Sequence, residues 1–306
     1  MNTTTGSSAT FFGSTRRFVA AAAAAVALAA TATTALIPSA ASASAKPGIT
    51  NVKWAGFAAT GTRFAAASGT WTVPSVTCGQ SDPRTTFVWV GLDGATAGST
   101  TVEQAGTGIT CNPDGTVRHF AWTEFYPNLS SILDTKAYPV QQGDVIATTI
   151  TAGTDNFAVT MNDQRNGTTI WNYSATIASP GAAFSTAEWV VEAPSATAGG
   201  ADLAIMPVST TFTNVTATTA AGVTSGLNGD RFDWQPITLR QGDWTEVPSE
   251  LDSTATSFSV TGGPYASSNV PTAHTWLTPL PPGARQASGL RLRPALALQP
   301  AAAAQN

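Results

Sequence analysis

The chain predicts an all-β fold, an antiparallel β-sandwich, and three observations carry that prediction. Threonine, valine, tryptophan and phenylalanine are abundant, while helix signals are nearly absent after residue 45. Apolar residues recur in short runs with a period of two, the spacing of a strand with one buried face. Gly, Pro, Asn and Asp separate those runs at short intervals, as antiparallel connections require. In chain order the strand candidates are Gly69–Val73, Thr85–Asp93, Thr101–Gln104, Val117–Tyr126, Val145–Thr151 and Phe157–Asn162. Thr168–Ala175, Glu188–Glu192, Ala204–Asn214 and Ser257–Thr261 follow. Turns are expected over 128–139, at Gln141-Gln142-Gly143-Asp144, at Asn166-Gly167 and over 226–229. One sheet face should be buried and the other open to solvent.

The ends of the 306-residue chain read differently from its middle. Residues 1–45 run from Arg16-Arg17 through an Ala/Val/Leu stretch to Ile37, then Pro38 and small residues. Ala41-Ser42-Ala43 and Ala43-Ser44-Ala45 are A-x-A cleavage sites. A basic patch, an apolar core and such sites describe a secretory signal peptide, so the mature protein is expected outside the cell and off the membrane. Thr15-Arg16-Arg17-Phe18-Val19 also resembles a twin-arginine signal. Residues 281–306, rich in Pro and Ala, have no period and little to bury, and read as a disordered tail. Residues 46–280 remain as a single domain large enough for a real core. They hold nine basic and eighteen acidic residues, a net charge near −9. That balance argues against nucleic acid or an anionic membrane as partner, and suits acidic surroundings where many carboxylates are neutral.

Cys78 and Cys111 are the only cysteines. In an exported chain they read as one disulfide between neighbouring loops, the alternatives being free thiols or a metal pair. His119 and His274 show no partner pattern, and no His-Glu-x-x-His, Gly-x-Ser-x-Gly or phosphate-binding glycine loop is present. No metal and no organic cofactor is expected.

Alternation sorts the candidate strands into faces. In Ser185–Pro194, Glu188, Val190 and Glu192 share one face and Trp189 and Val191 the other, with Pro194 ending the run. In Phe87–Asp93, Val88, Val90 and Leu92 form the core side, leaving Trp89, Gly91 and Asp93 outward. In Ala121–Tyr126 the outward set is Trp122, Glu124 and Tyr126; Val102 and Gln104 also share a face. These sets outline a solvent-facing groove of tryptophans beside carboxylates, a common mark of a ligand surface.

Six motifs then come in a recognisable order. They are Val52-Lys53-Trp54-Ala55-Gly56-Phe57, the run Ala67 to Pro74, Trp89-Val90-Gly91-Leu92-Asp93-Gly94, Val102-Glu103-Gln104-Ala105-Gly106, Ala121 to Pro127, and Ala187-Glu188-Trp189-Val190-Val191-Glu192. In that order, from Asn51 to Thr261, the chain resembles the glutamic peptidases, or eqolisins. The resemblance implies a lectin-like sandwich of two long curved sheets and an acid-acting endopeptidase, a monomer acting on proteins or peptides. By motif position it implies a catalytic pair of Gln104 and Glu192, with Trp54, Gly56, Trp89, Asp93, Trp122, Glu124 and Tyr126 lining the cleft. Phe120 departs from the pattern, standing where family members often carry an aspartate.

The residue types suit the implied chemistry. One carboxylate can take a proton from water and return it to the leaving nitrogen. An amide NH₂ can donate to the tetrahedral oxyanion, and such a donor is worth roughly 10²–10³ in rate. Two other readings use the same residues. A secreted glycoside hydrolase would pair two of Glu124, Glu188 and Glu192; a carbohydrate- or protein-binding sandwich would use the aromatic groove without turnover.

Overall fold

The computed structural model describes residues 48–264 except Val52, 79–83, Ala97, 194–205 and 228–230. The expected signal peptide over 1–45 and the expected tail over 281–306 lie outside those residues. No helix occurs among the described residues, which form sixteen strands. They are β1 (Ile49–Asn51), β2 (Trp54–Thr60), β3 (Phe64–Thr72), β4 (Arg84–Leu92), β5 (Val102–Cys111), β6 (Val117–Tyr126), β7 (Ser131–Ile132) and β8 (Val145–Ala152). Then come β9 (Asn156–Arg165), β10 (Thr168–Ala178), β11 (Ala187–Glu192), β12 (Ser209–Thr219), β13 (Thr224–Ser225), β14 (Asp233–Gln241), β15 (Trp244–Pro248) and β16 (Phe258–Pro264).

One hydrogen-bonded path joins them in the order β10-β9-β8-β3-β12-β16-β15-β14-β2-β11-β4-β5-β6-β7. The path doubles back on itself, with β4 against β3 and β8, β5 against β8 and β9, and β11 against β3 and β12. The result is a sandwich of two layers. Every pairing along the path is antiparallel; short β1 alone pairs in parallel, with β14.

The main core fills the space between the layers. From β4 come Val88, Val90 and Leu92, from β11 Ala187, Trp189 and Val191, and from β2 Ala55, Phe57 and Ala59. Trp71, Ile146, Ile150, Phe157, Val159 and Phe212 meet them from the opposite layer. These are the inward sets that alternation assigns to β4 and β11.

β2 and β14 pair with each other although neither reads as a strand. β2 is Trp-Ala-Gly-Phe-Ala-Ala-Thr, four of its seven residues alanine or glycine, which have low strand propensity. β14 contains Pro236, which breaks a ladder unless its missing N–H faces no partner. At Pro236 only β2 lies alongside, because β15 pairs with β14 no earlier than Leu239 and β1 no earlier than Ile237.

The expectation that the second sheet face is open to solvent is corrected. Trp54, Ala58, Phe87, Trp89, Phe120, Trp122, Val190 and Ile237 form a second apolar cluster on the outer side of β2, β11, β4, β5 and β6. Trp89 and Trp122 are fully buried. Aromatic rings on β2, β4 and β6 meet across β11 and across the glycines of β5, one strand removed in each case, and bury that face.

The two cysteines form a disulfide, Cys78–Cys111, across a separation of 33 residues. It ties the segment after β3 to the end of β5.

Candidate active site

Strand register decides which side chains meet on the outer face of β2, β11, β4, β5 and β6. Residues opposite one another in antiparallel strands point the same way, so three rows run across the five strands. The first is Trp54, Glu192, Phe87, Gly108, Phe120; the second is Gly56, Val190, Trp89, Gly106, Trp122; the third is Ala58, Glu188, Gly91, Gln104, Glu124. Glycines stand where large neighbours need room. The Phe120 ring lies across Gly108, and the Trp89 ring across Gly91, whose added Cβ would sit 2.7 Å from the indole.

Gln104 and Glu192 thus occupy the same face, one strand apart across β4 and two rows apart along it. Trp89 spans the gap. Its Nε1 donates to Glu192 Oε2 at 2.8 Å, while the far edge of its ring covers Gly91 beside Gln104. Trp54 packs edge-on against Trp89 with ring centroids 5.1 Å apart, worth roughly 1 kcal/mol beyond simple burial. Gln104 Nε2 donates to Glu124 Oε2 at 2.8 Å, and Gln104 Oε1 is buried with no hydrogen-bond partner. Among the nine cleft candidates, Trp54, Trp89, Trp122, Gln104, Glu124 and Glu192 are brought together here, all of them buried.

Burial sets the protonation of the carboxyls. It raises Glu192 to about 7, against the Trp89 hydrogen bond, the charge of Lys53 and the nearby Trp54 indole, whose N–H falls outside hydrogen-bond geometry. It raises Glu124 to about 8, helped by the charge on Glu192 and opposed by the Gln104 hydrogen bond. The two carboxyls therefore sense one another, and when Glu192 ionises Glu124 keeps its proton.

The remaining candidates have other surroundings. Gly56 contributes backbone: its φ of 142° and the Trp189 carbonyl lying where a Cβ would stand let β2 pair closely with β11. Asp93 is fully buried at the end of β4 and accepts hydrogen bonds from Phe184 N (2.7 Å), Ser185 N (2.6 Å) and Ser185 Oγ (3.0 Å). It anchors the segment that leads into β11. Tyr126 is half-buried at the end of β6.

Three residues that alternation alone did not single out belong to the site. Phe87 and Phe120 wall it, Phe87 lying 4.7 Å from Trp122 and 5.9 Å from Phe120 between centroids. Lys53 is nearly buried beside Glu192. A lysine inside an aromatic, low-charge motif was the signal available for it. A second carboxyl group lies towards the Asp93 end. Glu188 is fully buried and is raised well above its ordinary value by burial, opposed by the Thr186 hydroxyl nearby, with Asp93 and Glu103 adding repulsion; neither of its oxygens meets a partner in hydrogen-bond geometry. Glu103 accepts from Ser179 Oγ at 2.6 Å and is raised to about 8, again by burial first.

Comparison with known proteins gives this arrangement a lineage. Aspergillopepsin-2 from Aspergillus niger is 28% identical over 193 residues, spanning 56% of this chain and 66% of that protein. Among solved structures, scytalido-glutamic peptidase with a transition-state analogue inhibitor is 24% identical with a TM-score of 0.55, covering 69% of this chain and 98% of that one. SCP-B, a member of the eqolisin family in complex with the tripeptide Ala-Ile-His, is 21% identical with a TM-score of 0.54 over the same shares. At such identities the two structures establish the fold. The peptidase A4 family model matches residues 52–261, a span that holds all five strands of the outer face, and the chain belongs to the peptidase A4 family.

Proposed function

We propose that this protein is a secreted, acid-acting glutamic endopeptidase that hydrolyses peptide bonds with Glu192 and Gln104. The observation that carries the reading is the Trp89–Glu192 hydrogen bond on the face that also holds Gln104. It holds in place, in a water-poor site, a carboxyl whose pKa of about 7 suits proton transfer in both directions. Glu192 takes a proton from the attacking water and delivers it to the leaving nitrogen. Gln104 donates an N–H to the oxyanion and, through its unpaired Oε1, accepts a hydrogen from the same water. The amide is uncharged at every pH, so the oxyanion donor does not titrate.

The pH range follows from two opposed slopes. The base form of Glu192 grows as pH rises towards 7, while the fold loses stability because its buried carboxyls must ionise. Activity is therefore confined to the acidic side of neutrality, in keeping with export to an acidic medium. The substrates are proteins and peptides, the enzyme acts as a monomer, and neither metal nor organic cofactor takes part.

The test is digestion of casein and of a polysaccharide panel from pH 2 to 7 by the wild type, Glu192→Gln and Gln104→Ala. Casein cleavage that falls at least 100-fold in both variants, with folding unchanged, supports the reading. Polysaccharide hydrolysis, or casein cleavage surviving in Glu192→Gln, defeats it.

A further inference from the structure

We propose that Glu124 is a positioning residue that sets the orientation of the Gln104 amide, a role resting on the peptidase reading above. A glutamine side chain ends in a planar group whose oxygen and nitrogen ends are nearly the same size. Which end faces the reacting bond depends on the hydrogen bonds that distinguish them. Gln104 is 1% exposed, and its one hydrogen bond among the described residues runs from Nε2 to Glu124 Oε2 at 2.8 Å. Oε1 has no partner. The contact with Glu124 is thus the hydrogen bond that holds the amide in the orientation observed.

The register makes this contact a built feature. Gln104 and Glu124 are directly opposed in the β5–β6 ladder, so their side chains leave the sheet side by side. Gly91 and Gly106 flank Gln104 on β4 and β5 without side chains that could compete for its amide. Glu124 itself is 1% exposed, two residues along β6 from the buried Trp122 on the same face. With Nε2 tied to Glu124, Oε1 is left without a partner on the face that also carries Trp89 and Glu192. Burial keeps Glu124 protonated up to about pH 8, so in the working range it offers a neutral carbonyl oxygen to Nε2 and adds no charge beside Glu192.

This account separates reach from charge. Glu124→Gln keeps a planar neutral acceptor at the same distance. Glu124→Asp keeps the carboxyl but withdraws it by one methylene, and Glu124→Ala removes the acceptor. The experiment measures kcat and KM for each variant at pH 4 on a quenched fluorescent peptide built around a bond cleaved in casein, with circular dichroism checking the fold. Glu192→Gln is run beside them. The expected result is a 30- to 100-fold fall in kcat for Glu124→Ala and Glu124→Asp with KM within threefold of wild type, and recovery to within about tenfold in Glu124→Gln. A fall in Glu124→Gln matching that in Glu124→Ala, a loss confined to KM, or a Glu124→Asp variant as active as wild type overturns the proposal. If Glu124→Ala fails to fold, the Asp and Gln variants decide between the same outcomes. Activity surviving in Glu192→Gln instead defeats the peptidase pair itself and leaves a separate signature, because Glu192 is then dispensable whatever Glu124 does.

Discussion

Replacing Glu246 with glutamine should flatten the pH dependence of stability without touching the strands that carry Gln104 and Glu192. Glu246 lies on β15, fully buried, with Oε1 accepting from Val208 N at 3.1 Å and Oε2 unpaired. Burial raises its pKa from 4.5 to about 8, the Val208 hydrogen bond opposing the rise. A carboxyl whose folded pKa lies above its unfolded value stabilises the fold fully below about 4.5, and that contribution is lost as pH rises towards 8. At about 1.4 kcal/mol per pH unit the wild type forfeits roughly 3 kcal/mol by pH 7 through this one group. Glutamine does not titrate and keeps the acceptor for Val208, but buries an amide N–H without a partner, at a cost of about 1–2 kcal/mol at any pH. Glu246→Gln should therefore be less stable than wild type by about 1–2 kcal/mol at pH 4 and more stable by a similar amount at pH 7. Urea unfolding at half-unit steps from pH 4 to 7.5, followed by tryptophan fluorescence, reads the difference. A stability gap that stays constant across that range would refute the reasoning, because Glu246 would then have no raised pKa to relieve.

Two further expectations follow from the backbone. Reducing Cys78–Cys111, or replacing both residues with serine, frees a loop of 33 residues and should cost about 4 kcal/mol by the chain-entropy argument, read as a shift of the urea midpoint. A midpoint unchanged within error would mean the unfolded chain is constrained by other means. Gly56→Ala should destabilise by several kcal/mol, since φ is 142° and a methyl group would run into the Trp189 carbonyl on β11. Wild-type stability in that variant would show that β2 can shift away without loss.

The sequence announced some of these features and concealed others, for identifiable reasons. β6 is found over Val117–Tyr126, as expected, because it is rich in β-forming aromatic residues and turn residues bound both ends. β5 runs on past Gln104 to Cys111, a stretch hidden because Gly106 and Gly108 interrupt the apolar pattern, the first where the β4 backbone at Val88–Trp89 comes close and the second where the Phe87 and Phe120 rings need space. The inward faces of β4 and β11 followed from period two. What covers the opposite face did not, since periodicity says which side chains share a side and nothing about what closes over them. The pairing of Gln104 with Glu124 is a matter of register between β5 and β6, which no local pattern encodes. Gln104 and Glu192 were singled out by the order of the motifs. Lys53 and the Phe87–Phe120 wall emerged only with the strands assembled.

β11 is paired along its whole length on both edges, with β2 and with β4, and all six of its residues are buried. It is one ribbon with two duties: Trp189 and Val191 belong to the central core and Glu192 to the outer face. Such a strand has no free edge from which to fray. Its amides exchange with solvent only through the deepest openings of the molecule, those that approach global unfolding. The carboxyl on which hydrolysis would depend is therefore never set loose by a local fluctuation, and the enzyme keeps its chemistry until the whole sandwich opens.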